Sequence, residues 1–262
     1  MFAIGVCVGS QDKFDQWAQR GIDLIGEPDT KVIALSGQPS IFVGYNRILS
    51  EARTLEGLEG LILIHEDVYI RDPDCLATLR NTFAEPDVGV VGVYGCVSPK
   101  SLAWHSQDDT RGAVEDARWM LVASNEPEDV TVLDGLFLAL SPAAVAALDF
   151  DESRFDGWHG YDADICLQAR KRRMRVRVEP IDVYHATKGT YGSRTSFVRT
   201  DLLFRAKWGD SGLLNPAART WTVRPKVIGV ALACAPVTAW IASRRSAIGR
   251  WRRSYEVKNR QR

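Results

Sequence analysis

The chain opens with apolar runs separated by amphipathic stretches. Phe2–Val8 and residues 31–35, 60–64 and 88–93 are short, nearly continuous apolar segments, each bounded by turn-forming or charged residues. Runs of that length without polar alternation predict strands buried on both faces. The intervening stretches carry apolar residues at helical spacing. Residues 12–22 bring Phe14, Trp17, Ala18 and Ile22 together, residues 40–52 do so with Ile41, Tyr45, Ile48, Leu49 and Ala52, and residues 74–83 with Leu76, Leu79 and Phe83. Alternating strands and helices of this kind predict an α/β fold, with a mostly parallel mixed sheet flanked by helices.

The pattern changes near Cys96. Residues 96–129 are polar and irregular, with Trp104, His105 and Trp119 embedded in them, and predict a long loop, either functional or disordered. A strand-like stretch over 130–140 is interrupted by Asp134-Gly135. Helices are then expected over 142–148 and 162–173, and strands over 175–179 and 181–184.

The C-terminal stretch differs again. Residues 227–242 are nearly all apolar and are followed by Arg244, Arg245, Arg250, Arg252 and Arg253. The apolar segment contains Pro236 and falls short of the ~20 residues that span a bilayer. It suits a helix lying in the membrane interface, or equally a terminal helix packed on the domain with a solvated basic end. The expected organisation is a domain over 1–212 and an apolar, basic, helical tail over 213–262.

Composition narrows the class. The 262 residues are 45% hydrophobic and 25% charged, and Lys+Arg and Asp+Glu each number 33. This is a globular chain with no net charge, and its basic residues concentrate in the tail. A nucleic-acid binder would need a basic surface across the folded domain, so that class is set aside. The five cysteines are scattered, without CxxC or zinc spacing. They read as small buried hydrophobes in a reducing, cytoplasmic compartment. Phe2–Val8 has no basic residue before it and reads as a first strand, not a signal peptide.

Four segments carry chemistry. His65-Glu66-Asp67 closes the apolar run 60–64. Alternation puts His65 and Asp67 on one face and Glu66 on the other. Ligands of parallel sheets lie beyond the carboxyl ends of strands, where a carboxylate can hold a hard divalent cation against phosphates. The competing reading is a polar strand end with Asp67 in a turn. The second segment, Trp158-His159-Gly160-Tyr161-Asp162-Ala163-Asp164, is a glycine-containing turn opening a helix. Asp162 and Asp164 then lie on nearly opposite sides: either one caps the helix and the other faces a cleft as a base, or both are cap and first-turn acids favoured by the helix dipole. His185, after a strand, is a metal ligand or a structural histidine. Asp134 inside an apolar stretch needs a polar cavity or a partner.

Taken in order, these segments resemble family 2 glycosyltransferases of the GT-A (Rossmann-like) fold, in their bacterial glycosyltransferase-like branch. Tyr45-Asn46, His65-Glu66-Asp67-Val68, Leu133-Asp134-Gly135, the 158–164 segment and Lys207-Trp208 carry the resemblance. It implies that His65-Glu66-Asp67 stands in place of the DxD motif. Asp67 and His185 would then be ligands of a divalent metal, Mg or Mn, while His65 stands where an acid contacts the ribose. Ser36, Asn46 and Glu66 are grouped with His65 as nucleotide-side residues. Asp162 matches the general base, although Tyr161 replaces the acid that usually precedes it.

The implied reaction is an inverting transfer from a nucleotide-diphosphate sugar to an acceptor hydroxyl. Trp104, Trp119 and Trp158 are candidates to stack on sugar rings, and Asp134, His159 and Asp164 fall on the acceptor side. The tail suggests a carbohydrate or lipid-linked, cell-envelope acceptor, and an enzyme peripheral on the inner membrane face. Two rivals are a sugar nucleotidyltransferase and a catalytically inactive carbohydrate-binding or scaffold protein. The first lacks the glycine-rich basic loop it would need near Val8-Gly9-Ser10.

Overall fold

The computed structural model describes residues 1–117, 120–187 and 193–214. Trp119 and the apolar and basic segments of the tail lie outside the described residues. No helix among the described residues is long and apolar enough to cross a membrane.

Two sheets share the core. In chain order the strands are β1 (Phe2–Val8), β2 (Lys31–Ser36), β3 (Gly60–His65), β4 (Val68–Ile70), β5 (Val88–Gly92), β6 (Tyr94–Cys96), β7 (Thr110–Asp116), β8 (Met120–Val122), β9 (Glu128–Asp129), β10 (Val132–Leu133), β11 (Phe137–Leu140), β12 (Arg175–Val178) and β13 (Val183–His185). The larger sheet has the order β2-β1-β3-β11-β5-β12-β9, and the smaller runs β10-β6-β7-β13-β4, with β8 added alongside β7.

β1 pairs parallel with β2 and β3, and β12 parallel with β5. β11 lies antiparallel between β3 and β5, so the sheet is mixed. The reversal at β11 positions the site. β11 begins where β3 ends, with Phe137 opposite Ile64, and the His65 amide donates to the Leu136 carbonyl at 3.1 Å. The turn over 134–136 is therefore held against the carboxyl end of β3.

Helices cover the sheets: a helical stretch made of α1 (Gln11–Lys13), a π-helical turn (Phe14–Ala18) and α2 (Gln19–Ile25), then α3 (Ile41–Ala52), α4 (Cys75–Phe83), α5 (Pro142–Ala147), α6 (Tyr161–Lys171) and α7 (Arg194–Trp208). Ser40 caps α3 by accepting from the Val43 amide, and Ser141 caps α5 just before Pro142. The apolar face of α3, with Ile48, Leu49 and Ala52 buried, packs on β1, β2 and β3. Gly5 in β1 makes this possible, because a Cβ there would lie 2.4 Å from Ile48 Cγ2.

Two expectations need correction. The run at 31–35 is an edge strand in which Ile33 alone is buried; among the described residues no strand lies beyond β2. Residues 96–129 contain β7 and β8 rather than a continuous loop. In β7 the buried positions Thr110, Gly112 and Val114 alternate with half-exposed ones. Only one of those three is a large apolar residue, so no hydrophobic run marks the strand.

Candidate active site

β3 ends at His65, a two-residue turn follows, and β4 begins at Val68. β13 lies antiparallel to β4 with His185 opposite Val68, and the Ala186 amide donates to the Asp67 carbonyl at 2.8 Å. This pairing carries His185 onto the turn. His65, Asp67 and His185 thus meet with one ligand atom each, all within 4.8 Å of one another. His185 Nε2 lies 3.3 Å from Asp67 Oδ1. The resemblance set His65 apart for the nucleotide, whereas the structure brings it into the cluster.

Electrostatics favours ligation. Burial, with the charge of His185 adding to it, lowers His65 to about 4, so its imidazole is neutral at pH 7. Burial pushes the Asp67 carboxyl up. The His185 hydrogen bond and the charges of His185, His65 and Lys13 outweigh that effect and hold it below the usual carboxylate range. Lys13 Nζ lies 3.3 Å from the second Asp67 oxygen. The imidazoles of His65 and His185 and the ionised Asp67 carboxylate form a donor set that can hold a divalent transition metal.

Glu66 points away from the cluster, as alternation predicts. Its Oε2 accepts from the Gly9 amide at 2.5 Å and the Ser10 amide at 2.7 Å. It thereby fixes the loop between β1 and α1, which walls a cleft of about 280 Å³ lined also by Gln11, Ser36, Gln38 and Trp158. Ser36 and the exposed Trp158 face this cleft. Asn46 does not line it: its amide donates to the Phe150 carbonyl at 2.9 Å and accepts from the Phe150 amide at 2.8 Å. Asn46, grouped above with the nucleotide-side residues, is held away from this cleft, because both ends of its amide tie α3 to the segment after α5.

The turn before β11 and the start of α6 form a second polar centre. Asp162 accepts from the Gly135 amide at 3.1 Å and from the Ala163 amide at 2.8 Å. Burial, reinforced by the charge of Asp134, raises its pKa to about 6. Asp134 in turn meets His105 Nε2 at 2.9 Å and accepts from the Leu136 amide. Burial raises Asp134, but the charge and hydrogen bond of His105 overcome it and leave the carboxyl strongly lowered. His105 is lowered by burial and raised further by Asp134, with a net rise. Two neighbouring acids are thus pushed apart, one held ionised and the other near-neutral in affinity, the arrangement that separates acid and base roles.

Two further expectations, for Trp104 and Asp164, are revised. Trp104 is 1% exposed and stacks on Tyr94 and on His105, its ring centroid 3.9 Å from the latter. It is a core residue that orients His105 and is not open to a sugar. Asp164 is also buried, bonded to Gln168, Lys207 and Trp208, and so joins α6 to α7 rather than facing an acceptor. His159 packs edge-on against Phe197, and burial lowers its pKa. His105 and Tyr161 had not been assigned a role. The Asp134 in an apolar stretch, which demanded a partner, was the signal for the first.

Residues 3–190 match the family model described as "Glycosyltransferase like family". The chain belongs to that family. Among curated proteins it is 27% identical to the "Streptomycin biosynthesis protein StrF" of Streptomyces griseus, over 98% of this chain and 89% of that one. Similar solved structures include the mannosyltransferase PcManGT from Pyrobaculum calidifontis, in complex with GDP-Man and Mn2+, with TM-score 0.53 and 13% identity over 94% of this chain and 75% of that one. S. aureus TarS 1-349 gives TM-score 0.53 and 13% identity over 91% and 80%. These likenesses establish the GT-A fold for this glycosyltransferase-like chain.

Proposed function

We propose that this glycosyltransferase moves a sugar from a nucleotide-diphosphate sugar to an acceptor hydroxyl, with a divalent metal at His65, Asp67 and His185, Asp162 as base, and inversion at the anomeric carbon. The observation that carries this reading is the three-ligand cluster, adjoined through Glu66 to the cleft at Ser36 and Trp158. The cleft receives the nucleotide. The metal supplies charge neutralisation for the departing diphosphate. Two imidazole ligands favour Mn over Mg, and the mannosyltransferase of similar fold is complexed with GDP-Man and Mn2+. Asp162 takes the proton of the attacking hydroxyl. Its raised pKa keeps it a stronger base than an exposed carboxylate while still ionised at neutral pH.

The apolar and basic stretches of the tail support a second part of the reading, in which a catalytic domain over 1–212 works at the cytoplasmic membrane face on a lipid-linked or cell-envelope acceptor. A thermal-shift screen of UDP-, GDP- and dTDP-sugars, with and without Mn, tests the donor and the metal together, since a ligand that binds the folded state raises the melting temperature. A shift with one nucleotide that grows when Mn is present is the expected result. Absence of any shift across the panel would overturn the reading.

A further inference from the structure

Tyr161 stands where the family resemblance expects an acid, and the mechanism above gives it no task. It begins α6, is 4% exposed, and its ring is enclosed by Phe42, Tyr45 and Phe150. Its hydroxyl leaves this aromatic box at one point, where it lies 2.5 Å from His65 Nε2. Gly135 clears the path: a Cβ there would sit 2.1 Å from the Tyr161 hydroxyl and 2.4 Å from Cζ. The hydroxyl, the glycine and the imidazole therefore form a fitted set.

We propose that Tyr161 is a positioning residue for His65, fixing which nitrogen of the imidazole is left for coordination and so setting the metal affinity of the cluster. The inference rests on the metal reading of His65, Asp67 and His185. With Nε2 engaged by the phenol, Nδ1 is the nitrogen available to an ion. Ligation by Nδ1 requires its lone pair, so the ring proton must be on Nε2 and be donated to the Tyr161 oxygen. The phenol thus plays the part usually taken by a carboxylate or carbonyl behind a metal-bound histidine, a contact whose loss typically weakens metal binding about 10–100-fold. An acid in this position would place a further negative charge behind His65, and the tyrosine orients the ring without one. Asp162 follows directly, and its carboxylate is held by Gly135, so the same turn and helix start support both the cluster and the base.

Two measurements decide this on the full chain. In 15N-histidine NMR of the metal-free protein, His65 is expected as the Nε2-protonated form, and Tyr161→Phe should spread it over both tautomers. Wild-type His65 protonated at Nδ1 would overturn the proposal, and this experiment needs no variant to fold. In Mn2+ titrations followed by electron paramagnetic resonance, Tyr161→Phe should bind about tenfold more weakly, while wild-type affinity in the folded variant overturns the proposal. His185→Ala separates the two levels. If it binds Mn2+ like the wild type, the cluster is not the metal site and the underlying reading fails. If it loses Mn2+ while Tyr161→Phe does not, only the role of Tyr161 fails.

Discussion

Trp208 donates its indole N–H to Asp164 Oδ1 at 2.7 Å, and Lys207 reaches the same carboxylate at 2.8 Å. This pair joins the helix that opens with Tyr161 and Asp162 to the last described helix. The carboxylate is 1% exposed, so its partners are obligatory. Asp164→Ala leaves the Lys207 ammonium with Asp151, 2.7 Å away, as its remaining partner, and leaves the buried indole N–H unpaired. The expected cost is about 2 kcal/mol, visible as a lower melting temperature, with turnover per folded molecule less affected. A wild-type melting temperature would show that this link carries little stability.

The base should reveal itself in the pH profile. Asp162 has a pKa near 6 and acts when ionised, so kcat/KM should rise as pH increases through about 6 and level above it. His105 lowers the Asp162 pKa by its charge. His105→Gln removes that charge and should move the rising limb to higher pH. A limb that stays in place would separate His105 from the base.

Asp162→Asn should abolish transfer while leaving donor binding close to wild type, as judged by calorimetry with the nucleotide sugar and Mn. Retained turnover would assign the proton to another group.

Glu66 offers a different signature. Its carboxylate holds two backbone amides at the edge of the cleft, and a hydrogen bond to a charged group is worth about 1.5–3 kcal/mol. Glu66→Ala should raise the KM for the donor roughly tenfold or more with a smaller change in kcat. Equal losses in both would point to a role in the chemical step instead.

Removal of residues 216–262 should leave a folded, soluble transferase with reduced sedimentation on anionic vesicles. Unchanged partitioning would dissociate the tail from the membrane.

Much of this architecture can be read along the chain because β1, β3 and β5 are buried on both faces and are therefore written as unbroken apolar runs. The acidic tripeptide was legible for a related reason: polar residues that end a buried strand stand out against it. β7 was not, since Thr110 and Gly112 occupy its inward positions. Trp104 and Trp158 are the same residue type, one sealed beneath His105 and the other exposed at the cleft, and tertiary packing alone separates them. Asn46 and Asp164 share this ambiguity. Each is a polar residue near functional segments whose partners lie far away in the chain. The contact between Tyr161 and His65 is likewise non-local, bridging two elements 96 positions apart.

The three cluster residues do not belong to one sheet. His65 ends a strand of the larger sheet, His185 ends a strand of the smaller, and Asp67 lies in the turn from β3 to β4. An ion held there would tie the two sheets together beside the two-residue turn by which the chain passes from one to the other. Loading would then register far from the cluster, as slower amide hydrogen exchange in β4 and β13 together with the end of β3. The site would double as a clasp between the two sheets.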